Sequence, residues 1–125
     1  MYTYNAKLER IIDGDSIVAL VDLGFDIWKK VNIRMYGMNT PESRTRDLEE
    51  KARGLAAKNR LAEILELENE GEFILVSHGV GKYGRCLGEI YVENTYNDNP
   101  NLPEISVNRI LINEGHAKEY YGGKR

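Results

Sequence analysis

A small five-stranded β-barrel with helices packed against it, mainly β in an α+β chain, is the architecture this sequence predicts. Three observations carry the prediction. Apolar and polar residues alternate in successive segments of the first third of the chain. A long segment with helical spacing, opened by a capping Asp, follows them. Two further strand-like segments and a short capped helix complete the order. A two-layer α+β sandwich fits the same order nearly as well.

The first strand runs from about Tyr4 to Ile12, and Asp13-Gly14-Asp15 turns the chain. In the second, Ile17, Ala19, Val21 and Leu23 share one face, the period of two that a half-buried strand requires. Leu23-Gly24-Phe25-Asp26 is the next turn. Val31, Ile33 and Met35 then line one face of a third strand, and Asn32, Arg34 and Tyr36 the other. After Thr40-Pro41 a helix is predicted from about Asp47 to Leu67, with Asp47 and Glu50 spaced as a capping box. Its apolar face is read as Leu48, Ala52, Leu55, Ala62 and Leu65, and Gly54 inside it points to close packing. Phe73–Val76 and Leu87–Val92 are the fourth and fifth strands, joined by a glycine-rich loop from His78 to Arg85. Residues 97–103 read as a loop. Ser106 caps a short C-terminal helix bearing Val107, Ile110 and Leu111, which Gly115 ends. A long helix between strands three and four of a five-stranded barrel is the pattern of an OB-fold.

Composition narrows the function classes. At 125 residues the chain reads as one domain, 1–125. Its 42% hydrophobic and 30% charged residues exclude wholesale disorder and a collagen-like chain. The single cysteine, Cys86, leaves no internal disulfide, and its place among apolar residues suits a buried, inert thiol. No apolar run approaches the roughly 20 residues of a membrane span. The opening residues lack a signal-peptide pattern, so a cytoplasmic location is favoured, with no membrane and no obligate protein partner implied. Net charge is −3, which argues against a nucleic-acid footprint. Yet Glu63, Glu66, Glu68, Glu70 and Glu72 fall in one stretch with no base. Without them, 15 acids face 17 bases, so a basic surface opposite an acidic ridge is expected.

The candidate chemistry lies in short segments. Asp13-Gly14-Asp15-Ser16 alone reads best as a hairpin turn, but it can also present carboxylates to a hard cation. Asn39-Thr40-Pro41-Glu42 alone reads as a loop entering a helix, yet it supplies oxygen ligands and a carboxylate together. Arg34 and Arg85 singly read as solvated strand and loop arginines, and brought together they would fork a phosphate. His78 and His116 read as exposed histidines. Tyr2, Tyr4, Tyr91 and Tyr96 read as packing residues.

In this order, and with Lys82-Tyr83-Gly84-Arg85, Val107-Asn108 and Gly115-His116-Ala117-Lys118 following, the chain resembles the staphylococcal nuclease (thermonuclease) family from about Lys7 to Tyr121. The resemblance implies an OB-fold phosphodiester hydrolase that cleaves DNA and RNA with calcium and little sequence preference. Water attacks phosphorus in line, the 5′-oxygen leaves, and 3′-phosphate ends remain. Position by position, it implies Asp15 and Asn39 as side-chain metal ligands and Thr40 as a carbonyl ligand. It implies Glu42 as the candidate base, and Arg34 and Arg85 on the phosphate. Lys82, Tyr83 and Tyr121 would line the nucleotide site. One divalent cation per site is expected, with magnesium and other metals left open. The best-known member carries Asp where this chain has Asn39, which removes one negative charge from the metal site. A catalytically weak or inactive nucleic-acid-binding module is the alternative, and a protein-interaction domain on the same scaffold a third.

Overall fold

The computed structural model describes residues 2–81, 84–93 and 104–121. Strands β1 (Tyr2–Asp13), β2 (Ser16–Asp22) and β3 (Trp28–Met35) form an antiparallel meander. Then come β4 (Met38–Asn39) and α1 (Leu48–Ala62), which continues as a π-helical turn, Glu63–Leu67. Strands β5 (Glu72–Val80) and β6 (Cys86–Glu93) follow, then β7 (Glu104–Ser106), α2 (Val107–Asn113) and β8 (Lys118–Glu119).

The sheet runs β3-β2-β1-β5-β6 and closes on itself where β6 pairs parallel with β3. This is a closed five-stranded mixed barrel of OB-fold type, and closure removes most of the exposed edge that an open sheet would present. The interior takes the alternate residues read from the sequence. Ile17, Ala19 and Val21 of β2, Ile33 and Met35 of β3, and Ile90 and Val92 of β6 join one core with Leu61, Ile64 and Leu65 below. Burying each large aliphatic contributes about 1.5–3 kcal/mol. Cys86 packs partly buried against this core.

Several details differ from the sequence reading. Leu23 is exposed at the β2–β3 turn rather than in the core. The helix begins at the expected cap, where the Asp47 carboxylate accepts from the Glu49 and Glu50 amides. The Asp47 amide donates to Thr45 Oγ1, so Glu50 is not needed for the reciprocal half of the box. The buried face of α1 is Gly54, Ala57 and Leu61, while Leu48 and Leu55 are exposed. The reason is distance. A Cβ on Gly54 would lie 2.4 Å from the Glu42 carbonyl oxygen, so only glycine fits at that position where the helix presses on the segment. Strand β5 continues through His78 to Val80, so part of the expected glycine-rich loop is sheet. The expected loop at 97–103 and Tyr96 lie outside the described residues.

Candidate functional site

The β1–β2 turn places Asp15 beside the end of β3, where its carbonyl accepts from the Met35 amide. Its carboxylate is buried with a donor on each oxygen: Oδ1 accepts from Ser16 Oγ at 3.1 Å, and Oδ2 accepts from the Thr40 amide at 3.1 Å. Oδ2 also lies 3.3 Å from the Arg34 guanidinium. That guanidinium donates to Asn39 Oδ1 at 3.0 Å and to the carbonyls of Met35 and Asp15 at 3.3 and 3.4 Å. Arg34 therefore ties the turn to β4. Both partners are shielded, with 16% and 10% of the Arg34 and Asp15 side chains exposed. Breaking such a pair leaves an uncompensated charge.

Barrel closure brings the second arginine in. Arg34 pairs across the parallel ladder with Leu87, two residues beyond Arg85. Ile33 and Cys86, also paired, pack on the core, so Arg34, Leu87 and Arg85 belong by alternation to the outer face. Both arginines line one cleft of about 370 Å³ with Tyr36, Leu87, Tyr120 and Tyr121. Tyr121, 64% exposed, meets Tyr36 edge-on with ring centroids 5.6 Å apart. Lys82 and Tyr83 lie outside the described residues.

Asn39, Thr40 and Glu42 border a neighbouring cleft of about 640 Å³ instead. The exposed Glu42 thus stands on the other side of the Arg34–Asn39 hydrogen bond from Arg85. Its backbone is pinned on α1 at Gly54.

Three supporting residues, Asn108, His78 and Glu89, have no role at the site in the sequence reading. Asn108 is buried on α2. Its Oδ1 accepts from the Ile90 amide, and its Nδ2 donates to the carbonyls of Tyr36 and Gly88 at 2.8 and 3.2 Å, which fixes Tyr36 at the cleft. His78 stacks on Tyr36 at 4.1 Å with a 6° interplanar angle, so it is a partly buried strand residue and not an exposed loop histidine. Glu89 lies 2.9 Å from His78 Nε2 and accepts from the Tyr91 hydroxyl at 3.0 Å. Burial and that hydrogen bond push the Tyr91 phenol above its ordinary value, so it stays a donor. The signal for Tyr36 was its strand alternation with Arg34. Asn108 gave no signal beyond its motif.

Asp15, Asn39 and the Thr40 carbonyl are hard oxygen donors, the kind that calcium and magnesium take. Asp13, two residues before Asp15, has a buried Oδ1 with no hydrogen-bond partner among the described residues, as a cation-facing oxygen would. Among the described residues no cluster of three or more His, Cys, Asp or Glu side chains gathers for a metal. The donor set fits a hard cation in kind while carrying little negative charge.

A family model for staphylococcal nuclease homologues matches residues 32–125, about three quarters of the chain. The chain belongs to that family. The match begins at β3, so Arg34, Asn39-Thr40-Pro41-Glu42 and Arg85 lie within it and the Asp13–Ser16 turn lies before it. Comparison with curated proteins returned no match. Family membership supports a nuclease-like or nucleic-acid-binding function, with nucleic acid as the substrate.

Proposed function

We propose that the chain is a metal-assisted phosphodiester hydrolase, cleaving DNA and RNA backbones with little sequence preference. One observation carries the reading: Arg34 and Arg85 line one cleft, and Arg34 is held in place by Asp15 and Asn39. A phosphodiester resists attack because it is already anionic. Two guanidiniums lining one cleft stabilise the charge that grows in its five-coordinate transition state. Arg34 is pre-oriented by its hydrogen bonds, so little reorganisation is required when the phosphate arrives. Glu42, exposed beside Asn39 and Thr40, is the group that takes the proton from the attacking water. The bond from phosphorus to the 5′-oxygen then breaks, that oxygen takes a proton from solvent and leaves as a hydroxyl, and the 3′-phosphate remains. Asp15, Asn39 and the Thr40 carbonyl would hold calcium, which when bound adds positive charge at the phosphate and acidifies water. Tyr121 at the cleft wall stacks on a base without reading its identity. Lys82 and Tyr83 are assigned to the nucleotide by the family motif alone.

A binding module that has lost catalysis is the second reading, and Asn39 is the observation that favours it. Degradation of plasmid and of single-stranded DNA and RNA, with calcium, with magnesium and with chelator, separates the two. Metal-dependent loss of substrate with 3′-phosphate ends is expected. Binding without cleavage under every metal condition would overturn the hydrolase.

A further inference from the structure

The cleft lined by Asn39 is larger than the one lined by Arg34, its hydrogen-bond partner, and the proposed chemistry uses only its Asn39–Glu42 border. Its other walls bring Arg53 from α1, His116 from the end of α2 and Lys118 from β8. We infer that this cleft is a second nucleotide subsite: it takes the polynucleotide on the far side of the cleaved phosphate, with Lys118 and Arg53 on its next phosphate. The inference rests on the hydrolase reading above and deepens it, since it makes an internal diester of a longer strand the substrate.

Register places Lys118. It pairs with Asn39 in the β4–β8 ladder, so their side chains leave one face from Cβ atoms about 4.5–5.5 Å apart. Amide-to-carbonyl bonds from Ala117 to Leu111 and from Tyr120 to Gly37 hold the segment on both sides. Arg53 lies 3.6 Å from Glu49 across one helical turn. Such an exposed pair is worth little and yields to a phosphate. The cleft's volume of about 640 Å³ falls inside the usual range for ligand clefts, about 300–1,000 Å³.

The path of the strand follows from the division between the clefts. A diester gripped by Arg34 has two sugar arms. One enters the aromatic-walled cleft of Tyr36 and Tyr121; the other crosses the Arg34–Asn39 bond into the polar cleft. Glu42 and Glu50 also line that cleft and repel a phosphate, which sends the backbone to the Lys118 and Arg53 walls.

The test is fluorescence anisotropy of a dye-labelled oligothymidylate of 12 residues, titrated at several salt concentrations with chelator present. Thymidine 3′,5′-bisphosphate, which offers one nucleoside, is the comparison ligand. Lys118→Gln and Arg53→Gln are each expected to lower the slope of log affinity against log salt by about 0.7. Affinity for the bisphosphate stays unchanged. An unchanged oligonucleotide slope in the double variant overturns the subsite, as does an equal loss for the bisphosphate. Because binding is read without turnover, a protein that never cleaves but shows the slope change keeps the subsite and loses only the hydrolase.

Discussion

Two clefts indent the same barrel with opposite charge. One, of about 450 Å³, is walled by Glu68, Glu70, Glu72, Glu93 and Glu104, with no lysine or arginine in its described lining. The other, of about 370 Å³, holds Arg34 and Arg85 among aromatic and aliphatic side chains, with no carboxylate in its described lining. Size favours the first and chemistry the second. Phosphate charge dominates the affinity of a nucleic acid, so the proposed site predicts a polyanion kept off the glutamate wall and held at the arginines. The comparison also reconciles a net charge of −3 with a nucleic-acid substrate. The excess acid is segregated in the 63–72 stretch and its neighbours, away from the proposed site.

The largest effect expected from breaking this asymmetry is loss of the arginines. Arg34→Ala and Arg85→Ala should each lower turnover by about 10²-fold or more, the usual cost of one preorganised charge-stabilising donor. They should differ in stability. Arg34→Ala strands the buried Asp15 carboxylate and the Asn39 amide, so its melting temperature falls as well. Arg85→Ala should melt close to the parent. Oligonucleotide kinetics beside thermal unfolding separates the two, and near-normal turnover in both folded variants refutes the phosphate assignment.

Next comes the charge of the metal site. With Asn39 in place of a carboxylate, Asp15 is the one charged side chain among the proposed direct ligands. Asn39→Asp should tighten calcium binding by about tenfold, since calcium affinity rises with ligand charge. Asp15→Asn, which keeps the shape and removes the charge, should abolish metal-dependent cleavage. Calorimetric calcium titration of both variants, with and without thymidine 3′,5′-bisphosphate, reads the difference. Calcium affinity indifferent to Asn39→Asp would move the metal elsewhere.

A smaller effect is expected at Gly54, on the floor beneath Glu42. A methyl group there would sit 2.4 Å from the Glu42 carbonyl oxygen and 2.7 Å from the Ser43 amide nitrogen. Overpacking of this kind costs about 1–3 kcal/mol, and the gain in helix propensity from Gly to Ala returns about 1. Gly54→Ala should therefore lose up to about 2 kcal/mol in urea unfolding. It should also lower turnover, because the segment carrying Glu42 must shift. A more stable variant with full turnover would mean that the helix and the loop are not in contact.

Gly54 also marks the limit of what the sequence could tell. Strand alternation found most of the barrel interior: Ile17, Ala19, Val21, Ile33 and Met35 face inward as read, and Leu23 fails because it lies in the turn beyond β2. The helix face was misread because hydrophobicity ranks Leu48 and Leu55 above Gly54 and Ala57, whereas close approach demands the reverse. The short pairs β4 and β8 had no pattern to find; they exist because Met38–Asn39 and Lys118–Glu119 meet through the tertiary fold. In the same way the motifs gave the candidate residues but not their division. The parallel β3–β6 closure puts Arg34 with Arg85, and the segment after β4 turns Glu42 into the adjoining cleft.

The smallest expected effect tests the acidic wall itself. Glu68→Gln, Glu70→Gln and Glu72→Gln together remove three negative charges from a protein whose net charge is −3. If net charge governed association, the triple variant should bind DNA much more tightly. If the arginine cleft governs it, the change is confined to long-range attraction, which is screened beyond about 8 Å at physiological ionic strength. Turnover and affinity at that salt should then match the parent. Association should quicken only at low salt, where the Debye length reaches about 30 Å and the whole-molecule field is felt. Stopped-flow binding at the two salt concentrations makes the distinction. A large affinity gain that persists at physiological salt would place the nucleic acid against the glutamate wall and reverse the comparison of the two clefts.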